Sequence, residues 1–193
     1  LRIFGAVEIA GTKWCGKTWT ALKHGCTVSY VDDELDVAMA DPSLMTLGER
    51  PHVIDEWQLV PHIWDAVRRG VDAERGLRGG WILTGSSAPL PRREDGAEGP
   101  SHSGAGRIGR IRMHPMSLAE SGDSTGSVSL SGLFAGDFQP AVADDDTTSL
   151  VELCCRGGWP EAIDMDVSSA QTLAREYLRP VSYTHLTLPT IRL

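Results

Sequence analysis

The run Ala6-Val7-Glu8-Ile9-Ala10-Gly11-Thr12-Lys13-Trp14-Cys15-Gly16-Lys17-Thr18 constrains the chain more than any other stretch. It passes from an apolar segment, through a loop bounded by glycines, into residues that favour a helix. The spacing G-x-x-x-x-G-K-[ST] is filled at every fixed position, and each position has a physical task. Gly11 and Gly16 permit a tight turn whose N–H groups point inward, where a side chain would block an anion. Lys17 brings positive charge to the β- and γ-phosphates of a nucleotide, and Thr18 offers a hydroxyl to Mg²⁺. The helix that starts here adds the positive end of its dipole. Residues 11–18, with Thr12, Lys13, Trp14 and Cys15 supplying the loop backbone, therefore read as a phosphate-binding loop. A chance strand-to-helix turn is the plain alternative, but the flanking strand and helix are the context the motif requires.

The rest of the chain reads as alternating strands and helices. Residues 3–10 are apolar enough for a strand buried on both faces of a parallel sheet. A short helix over 17–23 follows, with Gly25 placed for a left-handed cap. Residues 27–31 are β-branched and aromatic and predict a second strand, and 34–39 predict a weak helix. His52-Val53-Ile54-Asp55-Glu56 is a short apolar strand closed by two carboxylates. In a sheet next to a phosphate loop, Asp55 can hold the Mg²⁺ shell and Glu56 can face the water in line with the γ-phosphate. Asp55 as a simple cap of the next helix is the competing reading. Val60, Ile63, Trp64, Val67 and Val71 form one helical stripe, so Trp64 is core. Residues 81–84 predict another buried strand, running into Gly85-Ser86-Ser87, whose hydroxyls either sense the γ-phosphate or cap a turn.

Residues 89–106 are rich in Pro, Gly, Ser and charge and predict a mobile loop. A strand with alternating Ile and Arg follows from Ile108, its arginines sharing a face. Ser117 and Glu120 are spaced as a capping box that starts a helix. Residues 121–146 are again rich in Gly, Ser and acids around an apolar patch, and helices are expected near 150–154 and over 170–178.

Composition narrows the class. The 193 residues are 41% hydrophobic, enough for one domain with a core and part of a second. With 18 basic and 26 acidic residues the net charge is −8, which disfavours tight nucleic-acid binding through charge. No apolar run approaches the ~20 residues of a membrane span, and no signal peptide is visible, so a cytoplasmic location without membrane contact is expected. Cys15, Cys26, Cys154 and Cys155 lack zinc-ligand spacing and read as reduced thiols. Leu1 in place of methionine, only a few residues before the first core strand, leads to the expectation of a chain truncated at its N-terminus.

Six stretches occur in a fixed order: residues 11–18, Val53-Ile54-Asp55-Glu56-Trp57-Gln58, Ile82-Leu83-Thr84-Gly85-Ser86-Ser87, Gly106-Arg107, His114-Pro115-Met116-Ser117-Leu118-Ala119-Glu120, and Gly157-Gly158-Trp159-Pro160-Glu161. Over residues 1 to about 165 the set resembles the prokaryotic AAA-type ATPases that carry a DUF4143 domain downstream. The resemblance implies an α/β fold, a three-layer α/β/α sandwich around a parallel sheet, with ATP and Mg²⁺ at the carboxyl ends of the strands. It implies Asp55 and Thr18 at the metal, Glu56 as the water-activating base, and Thr84 or Ser86 as sensor. Arg107 is the arginine it points to for the γ-phosphate, in cis or from a neighbouring subunit of a homo-oligomer. The implied domains are an ATPase core over 1–120 and a linker with a truncated helical region over 121–180. The family's downstream module, facing a protein or nucleic-acid partner, is essentially missing. The tail over 181–193 fits neither the family nor the preceding composition, resembles translated sequencing-adapter read-through, and is assigned no function.

Three activities fit these residues. The first is Mg²⁺-dependent ATP hydrolysis coupled to an effector module, favoured by the Asp55-Glu56 pair. The others are phosphoryl transfer to a small hydroxyl substrate under an arginine-bearing lid over 89–112, and a non-hydrolysing nucleotide switch. A GTPase is disfavoured because its guanine-reading motif uses asparagine, which the chain lacks.

Overall fold

The computed structural model describes residues 1–86, 103–137 and 147–185. The chain divides into two compact units, Leu1–His114 and Pro115–Leu193. The first is an α/β unit with strands β1 (Ala6–Gly11), β2 (Thr27–Tyr30), β3 (His52–Asp55), β4 (Trp81–Ser86) and β5 (Ile108–Met113), and helices α1 (Lys17–His24), α2 (Leu35–Ala40) and α3 (His62–Ala73). The strands form one sheet in the order β2-β3-β4-β1-β5, and every neighbouring pair is parallel.

Parallel strands require crossovers, and their handedness decides which face each helix covers. The connection from β1 to β2 runs towards one edge of the sheet, while those from β2 to β3 and β3 to β4 run back. They should therefore lie on opposite faces. The cores agree: Ala21 of α1 packs with Ile9, Val53 and Ile82. Ala38 of α2 and Ile63, Trp64 and Val67 of α3 pack with Ala6, Ile54, Trp81 and Leu83. Successive strand residues thus serve two cores, as the period of two in a sheet covered on both sides demands. The crossovers diverge at the carboxyl end of β1, where open α/β sheets bind ligands.

Several boundaries differ from expectation. β1 begins at Ala6, and Ile3 is exposed. Gly25 is extended (φ −93°, ψ 153°) instead of left-handed. A Cβ there would lie 2.3 Å from Val53 Cγ2, so close packing against β3 is what requires glycine. The expected loop over 89–106 lies mostly outside the described residues.

In the second unit the described residues form α4 (Leu130–Ala135), α5 (Thr147–Arg156) and α6 (Val167–His185), with a short 3-10 turn over Pro160–Ala162 before α6. The capping box does form, with Ser117 N–H donating to Glu120 Oε2 at 2.8 Å and Glu120 N–H to Ser117 Oγ at 3.4 Å. It closes only a turn, because Ser121-Gly122-Asp123 offers no helical run and Gly122 is left-handed (φ +82°). Ser129 caps α4 through Gly132 N–H, and Asp166 accepts from Ser169 N–H at the start of α6.

His52 is buried at 1% exposure in the first position of β3. Its Nδ1 is 2.7 Å from Thr27 Oγ1, and its Nε2 is 3.1 Å from the Met45 carbonyl and 3.2 Å from Ser29 Oγ. The Met45 carbonyl can only accept, so Nε2 carries the proton in the neutral ring. Burial lowers the His52 pKa below the ordinary histidine value, against the opposing pull of the Met45 carbonyl. The unfolded chain therefore binds a proton at a pH where the folded chain does not. This contribution to stability is complete above the unfolded value of ~6.5 and is lost as pH falls. The thermal midpoint is expected to drop between pH 7.5 and 5.5, with a shallower drop in His52→Gln, as read by circular dichroism melts.

Candidate functional site

The loop between β1 and α1 is shaped by its glycines and closed by its own side chains. Gly16 is left-handed (φ 94°, ψ 16°) and precedes α1 with no side chain capping the helix. Trp14 is also left-handed, at φ 67°. Gly11 lies against β5: a Cβ there would stand 2.5 Å from the Met113 carbonyl oxygen and 2.9 Å from Cys15 Sγ. Cys15 is fully buried, so its thiol packs beneath the loop. Lys17, 5% exposed, extends its Nζ back to the Thr12 carbonyl at 2.9 Å. The ammonium therefore spans the concave side of the loop.

Strand ends bring the remaining groups to the start of α1. β4 lies between β1 and β3, so the Asp55 strand is one strand removed from the phosphate-loop strand. The intervening residue is Thr84, which carries the contact. Asp55, 7% exposed at the end of β3, accepts from Thr18 Oγ1 at 2.9 Å and also from Thr84 Oγ1. Both hydroxyls meet the same oxygen, Oδ1. Thr84 is fully buried, and its hydroxyl oxygen also faces the Glu56 N–H at 3.4 Å.

Glu56 leaves β3 in a left-handed conformation, φ 54° and ψ 40°. For a residue with a Cβ this costs about 1–2 kcal/mol, and such strain persists only where the surroundings enforce it. The bend turns the Glu56 side chain out of strand register, and the Gln58 side-chain amide donates to its Oε2. Ser86 ends β4 opposite Gly11 in the β1–β4 register. The Asp55 cap reading does not describe this turn, since Glu56 is the residue that precedes the short helix Trp57–Leu59.

Arg107 is not brought to this cluster. It precedes β5, and its carbonyl accepts from Ala6 N–H at 3.1 Å, at the amino end of β1. Gly11 pairs with Met113, six residues further on, or roughly 20 Å along the strand. Its guanidinium instead donates from Nε to Asp72 Oδ1 at 2.8 Å and holds the Asp72 carboxyl below its ordinary pKa. The register thus places Arg107 away from the phosphate loop of its own chain. Arg110 pairs with Glu8, buried in mid-β1, and sits 5.7 Å from the Trp64 ring. Arg112, beside Ala10 in the register, is exposed near the loop end of β5.

The donor set suits a phosphate chain with a hard divalent cation. An uncapped helix start, two left-handed loop residues and a nearly buried ammonium fit the anion. Thr18 and Asp55 place two oxygens together, and Mg²⁺ typically takes one or two carboxylates and completes its shell with phosphate oxygens and water. Among the described residues no group of three or more His, Cys, Asp or Glu side chains is placed to hold a metal ion. No described helix is long and apolar enough to cross a membrane.

Sequence reasoning assigned no role to Gln58, Gly85 or the Met113 carbonyl. Gln58 stood inside the run beginning Val53-Ile54-Asp55-Glu56, so its position two residues beyond the acidic pair was the available signal. The AAA_14 family model, described as an AAA domain, matches residues 4–122. No curated protein matches the chain.

Proposed function

The chain belongs to the AAA domain family, nucleotide-binding P-loop proteins, and from that premise we propose that it hydrolyses ATP with Mg²⁺ and couples the turnover to an effector or partner module. The observation that carries this reading is the junction of Thr18, Asp55 and Thr84 beside Glu56, at the mouth of the phosphate loop.

Lys17 and the N–H groups of residues 11–18 hold the β- and γ-phosphates, and Lys17 exchanges its Thr12 carbonyl for phosphate oxygen as the ligand enters. Thr18 and Asp55 hold Mg²⁺, which when bound neutralises charge on the phosphate oxygens. Glu56 accepts a proton from the attacking water. The water oxygen bonds to the γ-phosphorus as the bond to the bridging oxygen breaks, releasing ADP and phosphate. Thr84 joins Asp55 to the Glu56 backbone, which suits a sensor better than a free hydroxyl would, and Ser86 ends the same strand.

The test is phosphate release with and without a small hydroxyl acceptor. Release into water alone supports the hydrolase. Dependence on the acceptor indicates phosphoryl transfer, and binding without release indicates a switch. Arg107, seated away from its own loop, acts on a nucleotide only from a neighbouring copy. Arg107→Ala is expected to leave ATP affinity unchanged. Mixing it with Glu56→Gln in a demonstrated mixed oligomer restores part of the turnover if that role exists, since one interface then keeps both residues.

A further inference from the structure

Gln58 is the side chain that grips Glu56 without any evident need of the phosphate chemistry. It belongs to the turn Trp57–Leu59 after β3, and its amide nitrogen donates to Glu56 Oε2. A carboxylate only accepts, so the amide nitrogen has to face it, and the amide oxygen must then face the other way. On that other side stands the bare Cα of Gly85 in β4. A Cβ at Gly85 would lie 2.6 Å from Gln58 Oε1 and 3.0 Å from Trp57 Nε1. Both of those polar atoms are buried without a hydrogen-bond partner. Leaving a buried acceptor unpaired is unfavourable, so the amide is held for something other than its own hydrogen-bonding completeness.

A glutamate has three side-chain torsions, and the backbone at Glu56 is already turned out of the strand. Engaging one carboxylate oxygen removes most of that freedom and leaves Oε1 as the oxygen that can take a proton. We propose that Gln58 is the positioning residue for Glu56, orienting its carboxylate toward the attacking water, and that Gly85 lacks a side chain so that the amide can sit there. The inference rests on the reading of Glu56 as the base.

Gln58→Met keeps the length of the side chain and deletes the donor. It is expected to lower kcat about 10- to 100-fold, the scale of a small misplacement of a reacting group, with KM for ATP unchanged within about twofold. Added to Glu56→Gln, the same substitution should change the residual turnover by less than about twofold, because it acts through Glu56. Gly85→Ala, which pushes against the flexible end of Gln58, should lower kcat in the parent and much less in Gln58→Met. A merely structural Gln58 would impair both backgrounds alike and raise KM, and that result overturns the proposal. Turnover at or above the parental rate in Gln58→Met also overturns it.

A readout independent of turnover is the side-chain amide resonance of Gln58, identified by its disappearance in Gln58→Met. It is expected to shift in Glu56→Ala in the nucleotide-free protein, and an unmoved signal overturns the contact. Parental turnover in Glu56→Gln removes the base reading and the inference with it. Impaired Glu56→Gln beside fully active Gln58→Met removes the inference alone.

Discussion

Glu56→Gln is expected to bind ATP·Mg²⁺ with parental affinity and to turn it over at least ~10²-fold more slowly, the lower part of the range for losing a general base. The amide is isosteric with the carboxylate, so it keeps the packing near Gln58 and Thr84 but has no basic oxygen of comparable strength. The backbone bend at Glu56 should survive, because its N–H still faces Thr84 Oγ1. The Asp55 junction should survive too, since Thr84 meets Glu56 through its backbone N–H, which the substitution keeps, and Thr18 donates to Asp55 alone. Binding is measured by calorimetry and turnover by phosphate release, on a preparation free of contaminating ATPase. Retained turnover would strip Glu56 of its role, and lost binding would make it a structural residue.

Lys17→Ala should weaken ATP binding by about 10- to 100-fold, as expected for deleting a charged hydrogen bond worth ~1.5–3 kcal/mol. The ammonium is almost fully buried by its own loop and already oriented by the Thr12 carbonyl, so little entropy is spent when it meets a phosphate. The fold should persist, because the carbonyl released by the substitution belongs to an exposed residue and can turn to water. Equal affinity of variant and parent would sink the phosphate-loop reading.

What the sequence made legible was local. The strand, loop and first helix follow from a contiguous pattern, and the α3 stripe of Ile63, Trp64 and Val67 is a single periodicity. Sheet order is decided by contacts far apart in the chain, and the insertion of β4 between β1 and β3 leaves no mark in either strand alone. The left-handed turn at Glu56 carries no glycine or asparagine to signal it, and is set among a hydroxyl on β4, an amide two residues on and a bare Cα at Gly85. The place of Arg107 was hidden for the same reason. Its adjacency to β5 was readable, but which end of the strand meets the loop depends on pairing with β1. Gly25 was recognised as special, yet its cause is Val53 of another strand, not the helix end.

The doubly used oxygen of Asp55 has a bearing on the order in which ligands arrive. An oxygen that already receives two hydroxyl protons offers little to a bare cation, which would have to displace Thr18 or Thr84 at a place where, among the described residues, no group of three or more His, Cys, Asp or Glu side chains completes its shell. A cation that comes already chelated by a triphosphate brings most of its shell with it and needs only one exchange at Thr18. The hydroxyl pair ties the start of α1, the end of β3 and the end of β4 together through one oxygen. The protein should discriminate by sequence of arrival, remaining indifferent to free divalent ions and engaging them only as part of the nucleotide.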